Sequence, residues 1–106
     1  MKLYVAGPMS SVGPPTWNHP AFYRAAAELR CAGYEVICPA ELHAPSSETA
    51  WDWYMRRDIK ALMDCDGIVL LENSFKSKGA TLEHYIATGL GMKVFYSVDD
   101  AIRNAK

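Results

Sequence analysis

The chain alternates between short runs of apolar residues and longer stretches in which apolar positions recur at helical spacing. Short apolar runs bounded by Gly or Pro are typical of strands, whereas apolar positions at i, i+3 and i+4 are typical of helices. The predicted strands are residues 2–6, 34–38, 66–71 and 93–97. The predicted helices are residues 21–32, residues 50–64, a third helix that ends near Leu90, and residues 99–106.

The order of these elements, β-α-β-α-β-α-β-α, predicts the fold class. Alternating strands and helices favour a parallel sheet with right-handed crossovers, and the third strand is apolar on both faces, as a central parallel strand should be. We predict one α/β domain over residues 1–106, a doubly wound, flavodoxin- or Rossmann-like sandwich with strand order 2-1-3-4. Ligands of such sheets bind beyond the carboxyl ends of the strands, where the strand order reverses. The loops 7–19, 39–49 and 72–79 are expected to meet there.

The second predicted helix, residues 50–64, has a clear apolar stripe, and Thr49 precedes it as a candidate N-cap. The side chains expected to face inward are Tyr54, Met55, Ile59, Leu62 and Met63. Asp58 lies at the border of this stripe, so its carboxylate can point over the edge of the sheet toward a ligand. An ion pair with Arg56 or Arg57 would equally explain why an aspartate stands at position 58, and this alternative stays open.

Composition and charge narrow the function classes. The chain has 11 basic and 12 acidic residues, so no basic surface for nucleic acid is expected. Its apolar runs are too short to cross a bilayer, and no signal peptide precedes the first strand, which predicts a cytoplasmic protein without a membrane partner. Cys31, Cys38 and Cys65 are widely spaced and odd in number, as is typical of reduced thiols. The histidines lack metal-ligand spacing, so neither a metal nor a cofactor is predicted.

A carboxylate follows the loop that opens the third helix. Ser77, Lys78 and Gly79 form the end of that loop, and the pattern places Glu83 in the first helical turn. Backbone N–H groups and the helix dipole favour an anion there. We therefore expect Glu83 to be ionised and available as a nucleophile or a charge stabiliser. Acidic residues are also common in first turns simply because they stabilise helices. Together with Asp58, Glu83 would supply the two carboxylates that glycosidic chemistry uses.

Tyr4 is the third candidate catalytic residue. Alternation along the first strand places Lys2, Tyr4 and Ala6 on one face. Because Tyr4 is near the carboxyl end of the strand, its hydroxyl can extend into the crevice and orient a carboxylate. A core tyrosine whose hydroxyl finds any polar partner would show the same pattern.

Other residues at this edge of the sheet suit a nucleotide. Donors at a helix N-terminus form an anion site that fits a phosphate. The candidate donors are Ser77 and Gly79, with Lys76 and Lys78 beside them, and Gly7 and Ser10 after the first strand. Trp17, Trp51 and Trp53 offer faces on which a base can stack, although packing explains each of them equally well.

Three stretches of the chain resemble the nucleoside 2-deoxyribosyltransferase-like superfamily: MKLYVAGPMS, WDWYMRRDIKALMDCDGIVLL and SKGATLEHYIATGLGMKVF. The resemblance covers nearly the whole chain. It is closest to the small, often phage-encoded members and to the 2′-deoxynucleoside 5′-phosphate N-hydrolases. It implies cleavage of the N-glycosidic bond of a nucleoside or its 5′-monophosphate, by hydrolysis or deoxyribosyl transfer. It also implies a homodimer or higher homo-oligomer in which a neighbouring subunit helps to close the site.

The resemblance also assigns roles to individual residues. Glu83 matches the nucleophile that attacks the anomeric carbon, and Asp58 matches the aspartate that assists at the base and sugar. Tyr4 matches the tyrosine that hydrogen-bonds the nucleophile. Ser77 matches a serine that contacts the 5′-phosphate, and Gly7 matches the glycine after the first strand.

The chain departs from this pattern after Gly7. The N-hydrolases carry a Ser-Ile-Arg-Gly type stretch there, whereas Pro8 to Ser11 of this chain include no arginine, which weighs against phosphate binding. The chain ends soon after the fourth strand, so hydrolysis is expected more than transfer. Three other functions stay open: hydrolysis of NAD or of a cyclic signalling nucleotide, nucleotide binding or regulation without turnover, and a purely structural role.

Overall fold

The computed structural model describes residues 1–42 and 50–104. The strands are β1 Lys2–Ala6, β2 Glu35–Ile37, β3 Gly67–Leu70 and β4 Lys93–Phe95. The helices are α1 His19–Cys31, α2 Pro39–Leu42, α3 Trp51–Leu62, α4 Lys78–Gly89 and α5 Val98–Asn104, with a 3₁₀ turn at Ser74–Lys76 before α4. The strands pair in parallel in the order β2-β1-β3-β4. The predicted α/β fold class and strand order are therefore confirmed.

The pleat of β1 sends its side chains into two different cores. Leu3 and Val5 pack with residues of α1 and α5 on one face of the sheet. Tyr4 and Ala6 pack with residues of α3 and α4 on the other face. The same alternation that predicted the face of Tyr4 therefore directs this side chain toward α3 and α4.

The starts of the helices differ in detail from the sequence expectations. α1 begins at His19, two residues earlier than predicted, because Pro20 fits the first turn of a helix, where its missing N–H is no loss. The chain after β2 was expected to be a loop, but it begins with the short helix α2. Thr49, the predicted N-cap of α3, lies outside the described residues, as do residues 105–106 of the predicted last helix.

The inward face of α3 follows the prediction except at its end. Met55 and Leu62 are buried, and Tyr54 and Ile59 are half-buried. Met63 is 45% exposed, so its predicted burial is wrong. The helix ends at Leu62, and Met63 is the C-cap residue, whose side chain no longer follows the buried stripe.

A glycine closes α4. Gly91 has φ of 72°, and the N–H groups of Gly91 and Met92 donate to the carbonyl oxygens of Thr88 and Ala87. This is the Schellman pattern, which satisfies carbonyl groups that the end of a helix leaves open. Gly33, with φ of 97°, follows α1 in the same way.

Two glycines at this end of α4 should respond oppositely to alanine. Gly91→Ala is expected to lower the free energy of unfolding by about 1 kcal/mol or more, because a Cβ is disfavoured at positive φ. Gly89→Ala is expected to raise it by about 0.5 kcal/mol, because Gly89 is helical and no described atom lies within 4 Å of the added Cβ. Urea unfolding of the two variants checks this, and shifts of the same sign would contradict it.

Candidate active site

Residues from four parts of the fold border one cleft at the carboxyl edge of the sheet. One wall comes from the β1–α1 loop and the start of α1, and Pro39 after β2 adjoins it. The inner face of α3 and the first two turns of α4 supply the rest of the lining. Asp58 of α3 and Glu83 of α4 both border this cleft.

Glu83 lies in the second turn of α4, so its predicted position in the first turn is wrong. The helix begins at Lys78, and Ser77 is the N-cap residue whose hydroxyl accepts the N–H of Ala80 at 3.2 Å. The Ser77 cap therefore serves the first turn, and Glu83 lies one turn further along the helix. The influence of a helix terminus falls off within its first turn. The protonation of Glu83 is therefore set by its surroundings rather than by the helix dipole.

Those surroundings disfavour the charged form of Glu83. Its side chain is buried, with 4% of the residue exposed. Burial raises the pKa of Glu83 from 4.5 to about 8; the hydrogen bond from Tyr4 lowers the pKa, and the charge of Asp58 raises it. Burial therefore favours the protonated form of Glu83 near neutral pH, contrary to the expectation that the helix terminus keeps this carboxylate ionised.

The side chain of Tyr4, from strand β1, contacts the carboxyl group of Glu83. Tyr4 is fully buried, and its hydroxyl donates a hydrogen bond to Oε2 of Glu83. Burial, followed by the neighbouring Glu83, raises the pKa of Tyr4 well above its ordinary value, so the phenol keeps its proton as a donor. The structure thus brings together two residues that are 79 positions apart in the sequence.

Asp58 is the second carboxyl group at the cleft. It is 8% exposed and lies on the buried side of α3 with Met55 and Leu62. Arg56 forms an ion pair with Asp52 at 3.7 Å, and the guanidinium of Arg57 lies 5.2 Å from the centre of the Trp53 ring.

All five residues that the sequence suggested for substrate binding border the cleft: Gly7, Ser10, Trp17, Ser77 and Gly79. Packing also favours a glycine at position 7, because an added Cβ would lie 3.0 Å from the Leu71 side chain. Ser77 uses its oxygen as the α4 cap, which leaves its hydroxyl proton available to a ligand.

The sequence interpretation did not place several further cleft residues among its site residues. Met55 borders the cleft on the same face of α3 as Asp58, and so does Trp51, which the sequence analysis offered only as a face on which a base can stack. Their spacing of i, i+4 and i+7 is the signal that could have identified them. His19 at the start of α1 also borders the cleft, and its Nδ1 lies 3.5 Å from the Tyr23 hydroxyl. The contact between His19 and Tyr23 depends on where α1 begins. The spacing of apolar residues therefore did not indicate that His19 lies at the cleft.

Trp53 differs from the other two tryptophans. It is 45% exposed, and its ring packs edge-on against Tyr54 at 5.2 Å between ring centroids. Trp17 and Trp51 border the cleft, whereas Trp53 is absent from its described lining.

Within residues 1–42 and 50–104, no three His, Cys, Asp or Glu side chains are grouped as a bound metal ion would require. In that same part of the chain, none of the helices has the length and apolar character needed to cross a membrane.

Removing the Tyr4 hydroxyl should move the titration of Glu83. The hydrogen bond from Tyr4 stabilises the ionised carboxylate and so lowers its pKa. Tyr4→Phe is therefore expected to raise the pKa of Glu83 above about 8. The carboxyl carbon signal of isotope-labelled Glu83, followed by NMR across pH 5–10, measures this directly. A midpoint that falls or stays unchanged would contradict the assigned direction of the hydrogen bond.

Comparisons with known proteins bear on both the family and the fold. A family model described as a domain of unknown function, DUF4406, matches residues 1–96. No curated protein sequence matches the chain. Among solved structures, the 2-deoxyribosyltransferase from Bacillus psychrosaccharolyticus is similar, with a TM-score of 0.67 and 21% identity over 89% of this chain and 69% of that chain. At this identity the similarity shows a shared fold.

Proposed function

The chain belongs to the DUF4406 family, and we propose that it cleaves the N-glycosidic bond of a nucleoside or nucleoside 5′-monophosphate, with Glu83 as the nucleophile. The observation that carries this proposal is the buried Glu83 carboxyl, hydrogen-bonded by Tyr4, in one cleft with Asp58. Two carboxyl groups at a cleft are what cleavage of a glycosidic bond uses. The fold shared with a 2-deoxyribosyltransferase supports a deoxynucleoside as the substrate class.

The proposed reaction has two steps. Glu83 attacks the anomeric carbon through one carboxylate oxygen, the carbon–nitrogen bond breaks, and Asp58 in its acid form donates a proton to the leaving base. Water then attacks the same carbon and releases the sugar, while Asp58 takes back a proton. A second base in place of water would give deoxyribosyl transfer. Tyr4 orients the nucleophile through its hydrogen bond to Oε2.

The protonation of Glu83 gives this mechanism a pH dependence. Only the ionised carboxylate can attack, and the pKa of Glu83 in the empty cleft is about 8. The reaction needs an ionised Glu83 and a protonated Asp58, so the active form of the pair carries one proton in total. We therefore expect kcat/KM to fall as pH rises through about 8, where the free enzyme loses that proton. The proton that Glu83 carries at neutral pH is one that Asp58 can pass to the base.

The decisive experiment is a substrate panel. The protein is incubated with purine and pyrimidine nucleosides, deoxynucleosides and their 5′-monophosphates, and free base is separated by chromatography. We expect release of free base from at least one deoxynucleoside or its monophosphate. Adding a second base separates transfer from hydrolysis.

The same assay, extended to NAD and to a cyclic signalling nucleotide, tests the other functions that the sequence left open. Release of nicotinamide from NAD, without activity on nucleosides, would replace the proposed substrate. Thermal stabilisation by a nucleotide without any product would indicate a binding module. If the assay gives no product and no nucleotide stabilises the protein, the proposed function is contradicted.

A further inference from the structure

The β1–α1 loop ends in two consecutive residues with a left-handed backbone. Trp17 has φ of 52° and Asn18 has φ of 63°. In this region the Cβ of any residue other than glycine approaches a carbonyl oxygen, which strains the backbone. Asparagine is often found there because its short amide can hydrogen-bond locally, whereas a bulky residue is a clear outlier. The strain at Trp17 is therefore the feature that needs a physical reason.

The start of α1 does not by itself supply that reason. Asn18 is the N-cap residue of α1, and its side chain makes no capping hydrogen bond. In the ordinary N-cap the backbone is extended, and the side chain of an asparagine accepts an N–H group of the first turn. Here the main-chain carbonyl oxygen of Asn18 accepts the N–H of Ala21 instead, at 3.1 Å. The residue at this position thus suits an unstrained helix start that the chain does not adopt.

Hydrogen bonds on either side hold the strained segment in place. The N–H of Trp17 donates to the carbonyl oxygen of Gly13 at 2.9 Å, and the N–H of His19 donates to that of Thr16 at 3.0 Å. The N–H of Asn18 donates to the Thr16 hydroxyl oxygen at 3.3 Å. A strained backbone persists only where its surroundings fix it in this way. The backbone that carries the Trp17 indole is thus fixed before any ligand binds.

The two strained residues border two different open spaces. Trp17 borders the cleft, together with Asp58 and Glu83. Asn18 borders a separate groove, together with Arg24 of α1. Trp17 is half-buried and is absent from the described members of both hydrophobic cores. Its indole therefore adds to the wall of the cleft rather than to the packing of the fold.

The chemistry of an indole indicates what it can hold. Its face is flat and apolar, so it suits the face of another aromatic ring, and stacking of this kind accepts any nucleobase. The hydroxyl groups of a sugar would need polar partners instead. Strained residues concentrate at ligand-binding sites, where a surface that is already fixed loses little freedom on binding. A rigid indole at the cleft therefore fits the flat ring of a ligand.

We propose that the left-handed backbone at Trp17 is retained because it holds the indole as a fixed wall of the cleft, on which the base of a nucleoside stacks. This inference rests on the proposed function, because it takes a nucleoside as the ligand. It makes Trp17 a binding residue that acts on affinity, whereas Glu83 and Asp58 carry the reaction.

The first measurement compares a flat ring with an apolar side chain of another shape. Binding is followed by calorimetry in a Glu83→Gln background, with thymidine, 2′-deoxyadenosine and their 5′-monophosphates as probes. Trp17→Leu is expected to weaken binding of these probes on the order of tenfold, because stacking is lost. Trp17→Phe keeps a flat ring and should stay within about threefold of the parent. Trp53→Leu, at an exposed tryptophan outside the described lining, is the control and should change Kd less than about twofold.

The second measurement tests whether the backbone at Trp17 is strained. Trp17→Gly and Trp17→Ala both remove the indole, but only alanine keeps the Cβ that a left-handed backbone disfavours. Trp17→Gly is therefore expected to unfold at the higher urea concentration of the two, the reverse of the usual order. Asn18→Gly relieves the neighbouring strain and should change Kd less than about twofold, because Asn18 is absent from the described lining of the cleft.

Each other outcome has a definite meaning. Parent-like affinity in Trp17→Leu, or an equal loss in Trp17→Phe and Trp17→Leu, would overturn this inference alone. Unfolding of Trp17→Gly at a lower urea concentration than Trp17→Ala would show an unstrained backbone and would overturn it as well. If the parent binds none of the four probes, the proposed function fails and the inference fails with it. Should Trp17→Leu not fold, Trp17→Ala takes its place with the same expected loss of affinity.

Discussion

Glu83→Gln is expected to slow the release of free base on the order of 10⁴-fold or more while the Kd for the substrate changes by less than about threefold. The amide has the shape of the carboxyl and can still accept the hydrogen bond from Tyr4, but it cannot attack a carbon as a nucleophile. Binding and cleft shape are thus preserved while the reacting atom is lost. Quantifying free base by chromatography gives the rate, and calorimetry gives the affinity.

A matched variant separates this effect from a general loss of charge. Glu72 is an exposed glutamate at the carboxyl end of β3, and Glu72→Gln is expected to keep the rate within about twofold of the wild type. Full turnover by Glu83→Gln on a substrate that the wild type cleaves would remove Glu83 from the mechanism. Equal losses in both variants would point to the charge of the sheet edge instead.

The same substitution should stabilise the fold above acidic pH. The folded protein holds a proton on Glu83 up to about pH 8, whereas the unfolded chain loses it near 4.5. The stability associated with protonated Glu83 is therefore complete below pH 4.5 and is lost as pH rises through 8. Glutamine cannot ionise and avoids that loss. Glu83→Gln is thus expected to raise the free energy of unfolding by an amount on the order of a few kcal/mol at pH 7, and by more above pH 8.

Urea unfolding at pH 5, 7 and 9 measures this difference. The gain should be small at pH 5 and should grow steadily with pH. Glu35→Gln, at an exposed position on β2, is the control and should stay within about 0.5 kcal/mol of the wild type at every pH. A difference that shrinks with rising pH would show that the ionised form of Glu83 is the one stabilised in the folded protein.

A catalytic carboxylate that destabilises its own fold is physically consistent with the proposed role. Burial removes water from Glu83, and the Tyr4 hydroxyl replaces only part of the lost hydration. A carboxylate with little solvation is a stronger nucleophile once it has lost its proton, since fewer hydrogen bonds must be broken before attack. The same burial thus makes the charged form scarce and reactive.

The sequence predicted the fold well because its signals are local. Apolar runs next to Gly or Pro marked every strand, and the uninterrupted apolar run at 66–71 indicated that β3 is central. Alternation along β1 placed Tyr4 on the face that carries α3 and α4. The errors lie at helix boundaries and at the short helix α2, which was expected to be loop. α1 starts earlier than predicted, and Met63 turns outward where α3 ends, because the last turn of a helix depends on its tertiary neighbours.

The sequence by itself determined the order of the elements, the reversal between β1 and β3, and the residues that stand near that edge. Each of these follows from periodicity and from a few glycines and prolines. Only the tertiary structure decided the protonation of Glu83, the hydrogen bond from Tyr4 and the tight approach of Gly79 to Met55. These depend on distances between side chains from separate elements, and desolvation changes steeply over a few ångströms, whereas a pattern of residue types contains no distances.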